Sequence, residues 1–113
     1  MKEGDCLDSI TIVLLQKLCS DTDCIEVTQH TLIRFQERGI LFRDVLNAIK
    51  NGEIIETYPD DYPYPSCLLL GKSERTPLHV VCGVHENKLW IITAYYPSDD
   101  KWESDLRTRK VVM

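Results

Sequence analysis

Apolar and polar residues follow two different periods, one in each half of the chain. In the first half, apolar residues recur every three to four positions, which is the period of an amphipathic helix. The pattern predicts helices over Leu7–Leu18, Gln29–Arg38 and Phe42–Lys50. The β-branched run 10–13 leaves a strand open as the alternative for the first of these. Gly39 and Gly52 follow the other two helices, and glycine is the residue that most often ends a helix.

In the second half the apolar residues alternate with a period of two, which indicates strands. Together with a short strand before the second helix, the predicted strands are Cys24–Val27, Ile54–Tyr58, Cys67–Gly71, Leu78–His85 and Leu89–Tyr96. The segment 59–65 contains three prolines, so it cannot be a central strand and is predicted to be a loop or an edge. Residues Trp102–Arg109 are expected to form a last short helix.

These elements predict an α+β fold in which short helices pack on one face of an antiparallel, four- to five-stranded meander. A length of 113 residues fits one domain. We expect a core over 25–105, an N-terminal helix within 1–20 and a C-terminal tail over 106–113.

Charge restricts the classes of partner. Thirteen Lys and Arg stand against eighteen Asp and Glu, for a net charge of −5, so a nucleic acid would have to meet a local basic patch. No apolar run approaches the roughly 20 residues of a membrane span, and no signal-peptide pattern follows the N-terminus. A cytoplasmic protein with no membrane or DNA partner is expected.

The five cysteines are odd in number and include no Cys-x-x-Cys pair, which argues against a disulfide framework or a zinc site. Buried, reduced thiols are the simpler interpretation. We therefore expect no cofactor and no stoichiometric zinc in the purified protein. Phosphate-binding glycine loops and the His-Glu-x-x-His and nucleophile-elbow motifs do not occur.

The second predicted helix carries a possible anion site. His30, Arg34 and Arg38 are spaced four residues apart and fall on one helix face. A guanidinium donates paired hydrogen bonds to phosphate, and a histidine exchanges protons near neutral pH. A solvated helix surface is the alternative interpretation.

A second histidine lies in the predicted strand 78–85. Alternation places His79 on one face with Val81, Gly83 and His85, opposite the apolar positions 78, 80, 82 and 84. Its neighbour on the next strand is either Tyr95 or Tyr96, because a one-residue difference in the turn decides the register. A tyrosine there could bind phosphate or stack on a base, although a core or rim aromatic is the plainer alternative.

Further along, the order of short motifs becomes specific. These motifs are Thr28-Gln29-His30, Arg34, Glu37-Arg38-Gly39-Ile40, Asn51-Gly52-Glu53, Tyr58-Pro59-Asp60, Pro77-Leu78-His79-Val80-Val81 and Ile91-Ile92-Thr93-Ala94-Tyr95-Tyr96-Pro97. Over about residues 25–105 the chain resembles a prokaryotic family known as domain of unknown function 4258. The resemblance implies a layout like that of the RelE and MqsR toxin endoribonucleases, and a small zinc-binding, antitoxin-like partner protein.

The resemblance and the residue patterns together select the candidate site residues. The catalytic candidates are His30, Arg34, Arg38, His79 and Tyr96, and the RNA-binding candidates are Arg43, Thr93 and Tyr95. The hypothesis is metal-independent cleavage of RNA through its 2′-hydroxyl, with His30 and His79 as acid and base in either order. It expects the helix 29–38 to place His30 and Arg34 on the side that also receives His79. The rival hypotheses are a non-catalytic protein-interaction module and, more weakly, a metal or thiol-redox protein.

Overall fold

The computed structural model describes residues 10–111. This part of the chain contains three α-helices, α1 (Ile12–Cys19), α2 (Gln29–Arg38) and α3 (Phe42–Asn51), and a short 3-10 turn at Thr22–Cys24. Its strands are β1 (Ile25–Val27), β2 (Glu53–Tyr58), β3 (Ser66–Ser73), β4 (Thr76–His85) and β5 (Lys88–Tyr95). The predicted α+β fold is confirmed. No helix in this range is long and apolar enough to cross a membrane.

Local capping determines where the helices begin and end. Thr11 accepts a hydrogen bond from the Leu14 amide at 3.2 Å, so α1 begins at Ile12 and includes part of the β-branched run. The predicted start at Leu7 lies outside the described residues. Thr28 caps α2 through the Thr31 amide, and Gly39 ends it with a left-handed φ of 69°.

The sheet has the strand order β1-β5-β4-β3-β2. Strands β2 to β5 form the predicted antiparallel meander. The short strand β1 pairs in parallel with the outer side of β5, over Leu89 to Ile91 only. The remainder of β5 on that side is therefore left for α2 to cover.

The three helices pack on one face of the sheet and form the main core with it. Core residues from the helices include Leu15, Phe35, Val45 and Ile49, and those from the sheet include Leu69, Leu78, Val80, Cys82 and Ala94. Helix α3 lies so close to β3 that a Cβ at Gly71 would overlap the Ala48 carbonyl oxygen. This contact fixes how α3 sits on the sheet.

The other face of the sheet is covered by the chain after β5. Trp102 is 2% exposed, but the predicted helix over Trp102–Arg109 is wrong. These residues form a closed loop, hereafter the C-terminal loop, in which Trp102 and Arg109 make a backbone bridge. The Asp105 carboxylate accepts hydrogen bonds from the backbone amides of Arg107 and Thr108, both at 3.0 Å. Such side-chain bonds stabilise a turn in competition with a helix.

Candidate functional site

His79 lies on the sheet face opposite the helices, beneath the C-terminal loop. Its neighbours Leu78 and Val80 point into the helical core, so alternation turns the imidazole to the other side. The residue is 0% exposed. Its Nε2 lies 2.7 Å from the Leu106 carbonyl oxygen, and its Nδ1 lies 3.3 Å from the Tyr95 hydroxyl. The Trp102 ring meets the imidazole edge-on, with a centroid distance of 4.5 Å.

Burial keeps this histidine neutral. It lowers the pKa of His79 below the ordinary value, and the hydrogen bond to Leu106 opposes this effect only in part. Glu56 raises and Arg109 lowers the same pKa. These two charged side chains pair with each other and act in opposite directions, so burial remains the dominant influence on the pKa of His79.

A β-bulge makes Tyr95 the cross-strand neighbour of His79. The β4–β5 turn pairs His85 with Lys88, and the same register continues to Cys82 and Ile91. The register then shifts, and Val81 pairs with Thr93, so that Ile92 is the extra residue. As a result His79 pairs with Tyr95, which resolves the alternative left open between Tyr95 and Tyr96.

Helix α2 runs along the edge of β5 that β1 leaves uncovered. The Thr31 hydroxyl donates to the Ile92 carbonyl oxygen at 3.0 Å. Two helical turns further along α2, Arg38 Nη1 donates to the Ala94 carbonyl oxygen at 2.8 Å and to the Thr93 hydroxyl at 3.0 Å. Because Thr93 pairs with Val81 and shares the face of His79, the Arg38 side chain passes from the helical side to the side of the C-terminal loop.

These side chains border a cleft of about 440 Å³, hereafter the cationic cleft. Its lining residues are Arg38, Tyr95, Tyr96, Ser98, Lys101, Trp102 and Arg109. Three of the seven are cations and three are aromatic. The cleft therefore has the composition of a site for a ligand that carries both negative charge and flat rings.

The two arginines of the cleft differ in how far their charge is already compensated. Arg109 donates to both carboxylate oxygens of Glu56, at 2.7 and 3.0 Å, and its guanidinium lies 4.6 Å from the centre of the Trp102 ring. This bond holds the pKa of Glu56 below its ordinary range. Nearby, burial raises the pKa of Tyr58 to about 12. The hydrogen bonds of Arg38, in contrast, go to two neutral oxygens.

The structure brings together five of the eight predicted site residues. These are Arg38, His79, Thr93, Tyr95 and Tyr96, which line the cationic cleft or touch a side chain that does. His30 and Arg34 are exposed on α2 and do not line this cleft. The expectation that they share a side with His79 is not met, because His79 faces away from the helices. Arg43 borders a different cleft of about 230 Å³, which also contacts Tyr96.

The sequence interpretation missed much of the contribution of the C-terminal loop. Lys101, Glu56 and Arg109 are not among the site residues that the sequence predicts. Two signals were available: a lone tryptophan in a polar stretch, and an Asp three residues before a Thr, which favours a capped turn. Within residues 10–111, no group of three or more His, Cys, Asp or Glu side chains is arranged to hold a metal ion.

The fold and this cleft define a small α+β protein with one helical layer and a cationic, aromatic site on the other side of its sheet. The family model described as "Domain of unknown function (DUF4258)" matches residues 27–96, and the chain belongs to this family. No curated protein and no solved structure gave a significant match. The matched segment contains Arg38, His79 and Tyr95, whereas Lys101 and the C-terminal loop lie beyond it.

Proposed function

We propose that this protein binds RNA in the cationic cleft and cleaves it without a metal ion. The observation that carries the proposal is the convergence of Arg38, Lys101 and Arg109 with Tyr95 and Tyr96 on one cleft of about 440 Å³. RNA presents phosphates to cations and unstacked bases to aromatic rings. A chain with a net charge of −5 would thus attract RNA locally rather than with its whole surface.

Arg38 is the best placed of these cations to hold a phosphate. Its Nη1 is fixed by Thr93 and Ala94, so the side chain is ordered before a ligand arrives. A guanidinium has five N–H donors, and the two bonds from Nη1 leave those of Nε and Nη2 for other acceptors. A preorganised cation stabilises the charge that develops on a phosphate during cleavage.

The proposed reaction transfers the phosphate within the RNA strand. A base removes the proton of the 2′-hydroxyl, and the 2′-oxygen attacks the adjacent phosphorus to form a 2′,3′-cyclic phosphate. The bond from phosphorus to the 5′-oxygen breaks, and that oxygen leaves with the electron pair and takes a proton from an acid. Tyr96 and Lys101 line the cleft and are the candidates for these two roles. His79 reaches the cleft through Tyr95.

The remaining predicted residues extend this proposal across the surface. His30 and Arg34 lie on the same helix as Arg38 and are exposed, so they would contact the RNA backbone outside the cleft. Arg43 would act similarly from the neighbouring cleft that shares Tyr96.

We further propose that the protein is a cytoplasmic toxin and that a small, zinc-binding, antitoxin-like protein restrains it. The test of that partner is co-purification with the product of the adjacent reading frame.

Replacing Arg38 by alanine tests the proposal directly. Because a hydrogen bond to a charged group is worth about 1.5–3 kcal/mol, we expect Arg38→Ala to weaken RNA binding about tenfold or more. Loss of a preorganised charge is expected to slow cleavage about 100-fold. Binding is measured by fluorescence anisotropy with single-stranded RNA, and cleavage by gel electrophoresis of total RNA with and without ribosomes.

Arg75→Ala is the matched control, because Arg75 is exposed in the turn between β3 and β4 and does not line the cleft. It should bind and cleave RNA like the wild type, and thermal melting should show that both variants are folded. Intact RNA with every variant, together with equal binding by Arg38→Ala and Arg75→Ala, would refute the proposal. The non-catalytic interaction module would then be the better hypothesis.

A further inference from the structure

The buried histidine sets the direction of a hydrogen bond in the cleft. A carbonyl oxygen only accepts, so at 2.7 Å from Leu106 the Nε2 of His79 must carry the proton. In a neutral imidazole the other nitrogen, Nδ1, then has no proton and accepts. The Tyr95 hydroxyl, 3.3 Å away, is therefore the donor. Burial raises the pKa of Tyr95, which keeps this hydroxyl protonated.

This hydrogen bond determines what the Tyr95 hydroxyl can offer to a ligand in the cleft. Its only proton is directed at His79, so its oxygen offers the cleft lone pairs and no donor. Such an oxygen repels a phosphate but accepts a hydrogen bond from a hydroxyl group. Arg38, which is bonded to the preceding residues Thr93 and Ala94, provides donors for a phosphate in the same cleft. The cleft thus places an anion-binding group beside a hydroxyl-binding group.

We propose that Tyr95, oriented by His79, accepts a hydrogen bond from the ribose 2′-hydroxyl and makes the cleft selective for RNA over DNA. The proposal rests on the proposed function, since it assumes a nucleic acid at Arg38. In RNA the 2′-hydroxyl and the 3′-phosphate are borne by adjacent ribose carbons, and Tyr95 and Arg38 line the same cleft. The 2′-hydroxyl is the group by which proteins distinguish RNA from DNA. Tyr95 is the specificity-determining residue, and His79 is a positioning residue.

The test compares three single-stranded oligonucleotides of one sequence: RNA, 2′-fluoro RNA and DNA. The 2′-fluoro strand retains an RNA-like sugar conformation, but it cannot donate a hydrogen bond and cannot be cleaved through the 2′-position. Binding is measured by anisotropy at low temperature, and gels verify that the RNA stays intact. We expect the wild type to prefer RNA over 2′-fluoro RNA by about fivefold, the worth of one neutral hydrogen bond.

Three variants separate the roles of the two residues. Tyr95→Phe should bind RNA and 2′-fluoro RNA equally, at the affinity that the wild type has for 2′-fluoro RNA. His79→Gln preserves a donor towards Leu106 but loses the acceptor at Nδ1, so it should also lose the preference. His79→Asn, whose amide oxygen lies near the position of Nδ1, should restore it. Thermal melting is recorded for each variant, and Tyr95→Phe tests the proposal even if a His79 variant does not fold.

The possible failures are distinguishable. If the wild type binds RNA and 2′-fluoro RNA equally, or if Tyr95→Phe retains the preference, the role of Tyr95 is refuted while RNA binding stands. If Tyr95→Phe loses the preference but folded His79→Gln retains it, the positioning role of His79 is refuted. If the wild type binds none of the three strands, the proposed function fails and this inference fails with it.

Discussion

At the scale of single residues, His79 is the most informative side chain. It is fully buried, and each ring nitrogen has one partner, so the folded protein selects both its neutral state and its tautomer. The charged groups beside it are Glu56 on β2 and Arg109 on the C-terminal loop, which pair with each other. Its other neighbours, Tyr95 and Trp102, are uncharged. Protonating this imidazole would therefore place an extra charge under the C-terminal loop.

The stability of the protein should depend on pH through His79. Its pKa is lower in the folded protein than the ordinary 6.5, so below pH 6.5 the unfolded chain binds a proton that the folded chain resists. The free energy of unfolding should be level above pH 6.5 and fall between there and about pH 5, where carboxylates begin to titrate. One proton sets a maximum slope of about 1.4 kcal/mol per pH unit.

Urea unfolding at a series of pH values measures this slope. His79→Gln should remove it, whereas His30→Gln should not, because His30 is exposed on α2. An unchanged slope in His79→Gln would mean that other groups cause the pH dependence.

At the scale of the elements, a β-bulge and a close helix–strand contact position the site. The bulge at Ile92 moves Tyr95 to the face of His79. On the helical side, the missing side chain of Gly71 allows α3 to approach β3 closely. Helix α2 immediately precedes α3 in the chain. The position of α2 along the edge of β5 therefore also depends on how α3 packs against the sheet.

Gly71→Ala should strongly destabilise the protein. The added methyl group would overlap the Ala48 carbonyl oxygen, which is backbone and cannot move without shifting α3. Overpacking of this kind typically costs about 1–3 kcal/mol, and we expect the upper part of that range in urea unfolding. Lys72→Ala, at the exposed neighbouring position, is the control and should change the free energy of unfolding by less than about 0.5 kcal/mol. Equal stability of the two variants would show that α3 adjusts freely.

At the scale of the whole molecule, charge is distributed unevenly. The net charge is −5, yet three cations line one cleft. Glu56 compensates Arg109, which leaves Arg38 and Lys101 as the main sources of positive potential there. Within this cleft, an RNA strand should therefore contact few phosphates through cations.

The salt dependence of RNA binding measures how many phosphates the cations contact. For single strands, the logarithm of the binding constant falls with the logarithm of salt concentration by about 0.7 per neutralised phosphate. Arg38 and Lys101 account for a slope of about −1.4, the proposed contacts of Arg34 and Arg43 add about −0.7 each, and Arg38→Ala should reduce the slope by about 0.7. Anisotropy titrations over a range of salt concentrations provide the slopes. A slope that Arg38→Ala leaves unchanged would place the RNA elsewhere on the surface.

Local chemistry determined the helices and strands up to β5 and several of the site residues. Periodicity and the terminal Gly39 were sufficient to predict α2, and alternation was sufficient to separate His79 from its apolar neighbours. These features depend on residues a few positions apart, and the hydrogen bonds and side-chain directions of helices and strands repeat at that range. Family membership also followed from the order of motifs along the chain, which needs no coordinates.

Only the tertiary structure decided which of the candidates meet. Arg38 reaches Thr93 across 55 positions and His79 reaches Leu106 across 27, and no local pattern encodes such pairs. The bulge at Ile92 decided which tyrosine faces His79, because a single extra residue reverses every side chain beyond it. The C-terminal loop formed in place of a helix because Asp105 bonds to its own backbone, while Trp102 and Arg109 found partners on the sheet. Contacts between distant residues are selected by the packing of the whole chain, and for that physical reason they emerge only when the chain is folded.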